Sequence, residues 1–145
     1  MRALVQRVSQ ASVTVDQQVI GQIDHGVLVF LCAEPNDDVS SAQRMLDKIT
    51  KLRIFSDQDG KMNRSLLDVD GAMLVVSQFT LAADTSKGNR PSYTAAAEPK
   101  LANDLYESFL SFARDTGLKI ASGRFGADMK VQLINDGPVT IPLSL

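Results

Sequence analysis

Cysteine, histidine and tryptophan are nearly absent from this chain, whose 145 residues include one Cys, one His and no Trp. The single cysteine, Cys32, excludes an internal disulfide and a thiolate cluster. Its apolar neighbours predict a buried small hydrophobe. A Cys–His dyad would have to pair Cys32 with His25, which stands in a predicted turn, and a zinc site would have to rely on carboxylates. The composition therefore disfavours both a Cys–His dyad and a zinc site, and we expect neither a metal nor a cofactor.

Long hydrophobic runs and a strong net charge are also missing. The longest apolar stretches, such as residues 26–33, are too short to cross a bilayer, and no signal-peptide pattern is present. We therefore expect a cytoplasmic protein. A formal net charge of -2 gives no global attraction to nucleic acid, so a phosphate partner would need a local patch. Lys87, Arg90 and Arg124 form a candidate patch in predicted loops, the alternative being an ordinary solvated surface.

The apolar pattern predicts one domain over residues 1–145, a length that suits a single core. Alternation predicts a strand over 2–16 with a break near Ser9, and tight turns between successive strands favour antiparallel pairing. Helical spacing predicts amphipathic helices over 39–52 and 99–116. Further strands are predicted at 19–23, 27–33, 53–55, 73–81, 119–121, 131–134 and 139–143. The fold class is α+β, with a mostly antiparallel sheet rolled toward a barrel and two helices packed on it.

The central stretch, residues 73–81, reads Met-Leu-Val-Val-Ser-Gln-Phe-Thr-Leu. Its β-branched half is typical of a buried strand, and polar groups follow where packing alone would favour more Val or Leu. Such a strand end can present hydroxyls, an amide and backbone N–H groups to a substrate, although a strand running into a polar loop would read the same way. The loop over 82–93 is long, polar and interrupted by Gly and Pro, as functional loops often are.

Two motifs together carry a resemblance to a known family. Ser77-Gln78-Phe79-Thr80-Leu81 and Asn135-Asp136-Gly137-Pro138-Val139-Thr140 closely resemble the signature motifs of the bacterial D-aminoacyl-tRNA deacylases, also called D-tyrosyl-tRNA deacylases. Similar segments extend the resemblance over the whole chain, at 6–8, 11–13, 88–92 and 123–129. The resemblance implies a cytoplasmic homodimer that hydrolyses D-aminoacyl-tRNA, removes glycine from mischarged tRNA-Ala and spares L-aminoacyl-tRNA. It also implies a cis Gly137–Pro138 bond that enters the partner's active site.

Ester hydrolysis needs an activated water and stabilisation of the developing oxyanion. Backbone N–H groups around Gln78, Phe79 and Thr80 are candidates for the oxyanion site, with Ser77 beside them. Thr80 is the one hydroxyl placed to act as a nucleophile or proton relay, but it has no neighbouring base in sequence. The resemblance favours the adenosine 2′-hydroxyl of the substrate as the activator.

Chirality requires a separate element, because a side-chain pocket would tie the enzyme to one amino acid. Gly137-Pro138 suits this role, since glycine lets main chain approach closely and proline fixes its direction. An ordinary turn before the last strand is the alternative. Phe79 and Phe125 are predicted to flank the adenine, with core packing as their alternative, and Met129 and Ala97 are predicted pocket residues.

Two other functions remain open at this point. A non-catalytic RNA- or nucleotide-binding module would bind tRNA without releasing an amino acid. A small-ester or peptide hydrolase that uses Thr80 as nucleophile would lose its activity when Thr80 is replaced by Ala.

Overall fold

The computed structural model describes residues 1–145 and contains eight strands, two α-helices and one 3-10 helix. The first five strands and the first helix, in chain order, are β1 (Arg2–Val15), β2 (Gln18–Ile23), β3 (Gly26–Cys32), α1 (Val39–Thr50), β4 (Phe55–Ser56) and β5 (Met62–Arg64). The remaining elements are β6 (Ala72–Ser77), the 3-10 helix (Phe79–Ala82), α2 (Pro99–Asp115), β7 (Ile120–Ser122) and β8 (Lys130–Ser144).

Six strands form one sheet in the order β2-β1-β3-β6-β7, and β8 pairs with β1. The pairs that β1 makes with β2, β3 and β8 are antiparallel, and the short β4–β5 hairpin is antiparallel as well. The β3–β6 and β6–β7 pairs are parallel, because α1 and α2 lie in the connections that precede β6 and β7 and return the chain in the same direction. The predicted α+β class with a mostly antiparallel sheet is confirmed. The two pairs that involve β6 are the exception, because they are parallel.

The long strand β1 changes its buried face at a bulge. Val8 pairs with Asn135 and Gln10 pairs with Ile134, so Ser9 is an extra residue on β1. One inserted residue reverses the alternation of side chains. The predicted break near Ser9 is therefore a bulge within a continuous strand, and it lets one strand contribute to two cores.

The two cores lie on opposite faces of the rolled sheet. The larger core fills the space between the sheet and the two helices, around Phe109, Met45 and Val5, and the smaller core fills the inside of the roll, around Val13 and Leu74. Amphipathic faces of α1 and α2 supply the helix side, as their spacing predicts. None of the helices is both long and apolar enough to cross a membrane.

β2 approaches β7 closely across the roll. A Cβ added at Gly21 would lie 2.8 Å from the carbonyl oxygen of Ser122, so only glycine allows this approach. β8 closes the other side and pairs with β1 alone, which leaves its outer edge free. Pro142 on this edge agrees with the prediction that the last strand is an edge strand. The strands predicted at 131–134 and 139–143 are one element, since both halves pair with β1 in sequence.

Candidate active site

The central strand ends earlier than predicted, and a helical turn follows it. β6 ends at Ser77, and Phe79 to Ala82 form the 3-10 helix instead of continuing the strand. The backbone N–H of Gln78 donates to the carbonyl oxygen of Leu31 at 2.8 Å and so extends the β3–β6 pairing by one bond. The prediction that the Gln78 N–H serves the oxyanion site is wrong for this reason, because that donor is already used.

The next two backbone donors belong to the start of the 3-10 helix. Phe79 and Thr80 are its first residues, and the first N–H groups of a helix have no intrahelical acceptor. The side chain of Gln78 donates to Thr80 Oγ1 at 2.5 Å. The Thr80 oxygen therefore accepts a hydrogen bond from an amide, and no carboxylate or imidazole contacts it as a base.

A cavity of about 600 Å³ opens beside this turn. Most of its lining is apolar, as is usual for small-molecule sites. Six of the predicted residues line it, namely Ser77, Gln78, Phe79, Ala97, Phe125 and Met129. Residues far apart in sequence thus meet as predicted, because α2 and the turn after β7 both pack against the end of β6.

The cavity carries little charge. Asp128 is the only charged side chain in its wall, and its carboxylate lies 3.0 Å from Lys130 Nζ. Cys32 lines the wall and its Sγ lies 3.6 Å from the carbonyl oxygen of Phe79. Burial, with a contribution from Glu34, raises the pKa of the Cys32 thiol, which keeps it protonated and a poor nucleophile.

Tyr106 on α2 is a wall residue that sequence reasoning missed. Its hydroxyl lies 2.9 Å from the carbonyl oxygen of Val75 and 3.3 Å from that of Gly123. Burial raises the pKa of Tyr106, so the phenol stays a donor. Its ring also packs against Phe125 with centroids 6.1 Å apart. Tyr106 therefore ties the turn that carries Phe125 and Met129 to the end of β6.

The second motif forms an excursion from β8. Gln6 pairs with Thr140 and Val8 with Asn135, so residues 136–139 have no partner on β1 and leave the strand. The Asn135 side chain closes the base of this excursion, donating to Thr140 Oγ1 at 2.8 Å and accepting from the Val139 N–H at 3.0 Å. Asn135 thus explains why this motif needs an amide at its first position.

Arg7 braces the excursion from beneath and was not predicted as a site residue. Its Nε donates to the carbonyl oxygen of Asp136 at 3.1 Å and lies 3.2 Å from the Asp136 carboxylate. Its Nη1 donates to the carbonyl oxygen of Ile54 at 2.5 Å. The side chain is almost fully buried, with a relative exposure of 9% for the residue. The only sequence signal for this residue is that Arg7 takes a position where the alternation along β1 predicts an apolar side chain.

The tip of the excursion lies outside the cavity of its own protomer. Gly137 and Pro138 are exposed, their peptide bond is cis, and neither lines the cavity. Gly137 has φ +125, and a Cβ there would lie 2.8 Å from Arg7 Nη2 and 2.9 Å from Val139 Cγ2. The position therefore requires glycine both for its backbone angle and for its contacts.

The predicted phosphate-binding cations fall into two groups. Lys87 and Arg90 are exposed in the loop after the 3-10 helix and form no salt bridge. Arg124 lies in the turn after β7, with its guanidinium 3.9 Å from Asp16. The first two cations are therefore free for a partner, whereas Arg124 has a carboxylate beside it.

No group of three or more His, Cys, Asp or Glu side chains is arranged so that it could hold a metal ion. Fold and cavity together define a class: a small α+β protein with a mostly apolar cavity beside the end of a central strand.

Comparisons with known proteins identify the family within that class. The family model described as D-Tyr-tRNA(Tyr) deacylase matches residues 4–144. A D-aminoacyl-tRNA deacylase from Dinoroseobacter shibae is 58% identical over 97% of this chain and 97% of its own length. The corresponding protein from Colwellia psychrerythraea is 53% identical over the full length of both chains.

Two solved structures have the same fold. One titled c-Myc DNA Unwinding Element Binding Protein superposes with a TM-score of 0.94 at 42% identity, covering 100% of this chain and 99% of its own. A probable eukaryotic D-amino acid tRNA deacylase superposes with a TM-score of 0.86 at 17% identity, covering 98% and 97%. The chain belongs to the D-aminoacyl-tRNA deacylase family, and by that membership it is a hydrolase of carboxylic ester bonds.

Proposed function

We propose that this protein hydrolyses the ester between a D-amino acid, or glycine mischarged on tRNA-Ala, and the terminal adenosine of tRNA, and rejects L-aminoacyl-tRNA. The observation that carries the proposal is that the two motifs occupy different places. The motif at 77–81 supplies part of the cavity wall, whereas the motif at 135–140 forms the braced excursion outside it. The site of action is the cytoplasm, where translation supplies charged tRNA.

The chemical step needs no side-chain nucleophile. Water attacks the ester carbonyl carbon and the adenosine 2′-hydroxyl helps to take its proton, while the N–H groups of Phe79 and Thr80 stabilise the oxyanion. The tetrahedral intermediate then expels the ribose 3′-oxygen, which gains a proton, and free amino acid and tRNA leave. Gln78 and Thr80, joined by their side-chain hydrogen bond, orient the water, and Ser77 borders the acyl group.

The apolar part of the cavity binds the adenosine. Phe79 at the rim and Phe125 in the wall offer aromatic faces to the adenine, and Met129 and Ala97 complete the surface. A cavity of about 600 Å³ lies in the usual size range for one small ligand.

The excursion selects the hand of the amino acid by acting in the cavity of a second copy. Gly137 and Pro138 are exposed and lie outside their own cavity, whereas β8 beside them has no fully buried residue although apolar side chains alternate along it. A free edge of this kind favours pairing with an identical chain. In a homodimer, main chain of Gly137-Pro138 would occupy the space of an L side chain and leave room for a D side chain or for hydrogen.

The same reaction on three substrates tests this proposal. Wild-type protein should release D-amino acid and glycine from tRNA in the presence of EDTA, and should leave the matching L-aminoacyl-tRNA uncleaved over the same period. Gly137→Ala should lower the ratio of D to L turnover at least tenfold, because the added Cβ displaces the excursion. Equal turnover of both enantiomers by the wild-type protein would contradict chiral selection.

The binding-module alternative is addressed by the same assay. It predicts that tRNA binds and that no amino acid is released from any of the three substrates.

A further inference from the structure

Two exposed aromatic rings stand at the mouth of the cavity. Phe79 and Tyr93 pack edge to face with ring centroids 5.1 Å apart, and 54% and 40% of their surfaces are exposed. Both residues line the cavity. Large aromatic surfaces that remain open at a site entrance often mark a ligand contact.

Tyr93 is held in place on both sides. Asp84 and Ser92 exchange two backbone hydrogen bonds of 2.8 and 2.9 Å, which close the loop that precedes Tyr93. The carbonyl oxygen of Tyr93 accepts from the Ala96 N–H at 3.0 Å. The ring is therefore presented by fixed main chain, although the loop that leads to it is exposed.

Unpaired positive charge lies in the loop that leads to Tyr93. Lys87 and Arg90 belong to this closed loop and form no salt bridge. Lys130 is 3.0 Å from Asp128, and Arg124 is 3.9 Å from Asp16. A polyanion that leaves the cavity over Tyr93 therefore meets cations without a carboxylate partner.

We propose that Tyr93, held edge to face by Phe79, stacks on the base of the nucleotide that precedes the terminal adenosine, with Lys87 and Arg90 beside its phosphates. This assignment rests on the proposed function. Aromatic rings combined with free cations are the general means of binding single-stranded nucleic acid. In the proposed function the cavity binds the terminal adenosine with its acyl group, so the preceding nucleotide lies at the mouth, beside the exposed ring of Tyr93.

Two substrates of different length test the assignment. The first is D-aminoacyl-adenosine, and the second is the D-aminoacyl trinucleotide cytidine-cytidine-adenosine, both assayed for kcat/KM. The quantity of interest is the preference for the trinucleotide over the adenosine. Tyr93→Ala should lower this preference about tenfold, since stacking on one base is worth that much. Tyr93→Phe should retain it, because phenylalanine keeps the ring.

Matched variants separate stacking from charge. Lys130→Ala removes a cation that is already paired with Asp128 and should leave the preference unchanged. Lys87→Ala combined with Arg90→Ala should lower the preference and weaken its dependence on salt. This charge variant also provides a test that does not depend on the folding of Tyr93→Ala.

Three results would overturn the assignment. A loss of equal size on both substrates in Tyr93→Ala would place the ring in the adenosine site alone. A preference that Tyr93→Ala leaves at its wild-type value would remove the stacking site, and a change in sedimentation of that variant with loss on both substrates would assign the rings to a protomer interface. Failure of the wild-type protein to cleave either substrate would contradict the proposed function itself.

Discussion

The end of β6 and the excursion of β8 differ in how each is built into the protomer. The first ends in the wall of a cavity, where strand pairing, the 3-10 helix and Tyr106 hold the main chain in place. The second is braced by Arg7 and Asn135, but Gly137 and Pro138 do not line that cavity. If the proposed function is correct, the cavity of a protomer has the groups for the chemical step beside it, whereas its own Gly137-Pro138 lies elsewhere. We infer that a complete site needs two protomers.

The largest effect, on kcat, is expected when a backbone N–H donor is removed just after the end of β6. Phe79→Pro deletes one N–H at the first position of the 3-10 helix, a position where proline is tolerated. We expect kcat to fall about 100- to 1,000-fold, as for loss of one oxyanion donor. Phe79→Ala is the matched control, because it removes the ring and keeps the donor, so it should raise KM more than it lowers kcat. Equal kcat for the two variants would contradict the role of this N–H.

A smaller effect is expected when the brace of the excursion is cut. In the wild-type protein one guanidinium donates to the carbonyl oxygens of both Ile54 and Asp136. The single ammonium group of Arg7→Lys cannot reproduce this forked geometry. The D-to-L turnover ratio should fall about tenfold, and the free energy of unfolding should fall by about 1–3 kcal/mol because a buried carbonyl loses its donor.

Gln6→Ala is the control for that variant. Gln6 lies beside the excursion and donates an exposed hydrogen bond of 3.1 Å to Thr140, the residue that follows it. Its removal should change both quantities less than Arg7→Lys does. If the two variants behave alike, the buried brace has no special role.

A still smaller effect is expected from the hydroxyl at the strand end. Thr80→Ala should lower kcat less than about tenfold, since the oxygen accepts from Gln78 and has no base beside it. Loss of a true nucleophile costs several orders of magnitude. Single-turnover kinetics on D-aminoacyl-tRNA would measure the difference, and complete loss of activity would restore the hypothesis of a Thr80 nucleophile.

The smallest effect on selectivity is expected from a substitution outside both regions, at the start of α1. It shows what a loss of stability alone does. Asp38 caps α1, and hydrogen bonds from Ser40 and Ser41 lower its pKa to about 2. A lowered pKa contributes stability that is present above the ordinary value of 3.8 and is lost as pH falls through about 2. Asp38→Ala should therefore lower the urea midpoint at pH 7 by an amount that shrinks between pH 4 and pH 2, with D-to-L selectivity unchanged.

Much of the secondary structure could be predicted, because the residue pattern within one segment is enough to indicate a helix, a strand or a bulge. The helices at 39–52 and 99–116 have clear apolar faces, and the bulge at Ser9 interrupts a regular alternation. The end of β6 at Ser77 and the parallel pairs were not predicted, because they depend on contacts with Leu31 and on helices that return the chain. Pairing partners far apart in sequence leave no local pattern.

The candidate site was predicted unevenly for the same reason. Ser77, Phe125 and Met129 were predicted from motifs and line one cavity. Tyr93 and Tyr106 were missed, since an aromatic residue in a loop or on a helix face has no distinctive spacing. The roles of Gly137 and Pro138 remain a prediction that depends on a second protomer.

Complementation between two disabled variants tests that dependence most directly. Phe79→Pro impairs the oxyanion site after β6, and Gly137→Ala impairs the excursion. The two variants are mixed in equal amounts, unfolded and refolded together, and assayed for D-selective hydrolysis. If each cavity uses its partner's excursion, mixed dimers contain one intact site, and an equal mixture should recover about a quarter of the wild-type selective activity. If the mixture shows only the average of the two variants while mixed dimers are present, the excursion acts within its own protomer and the account is contradicted.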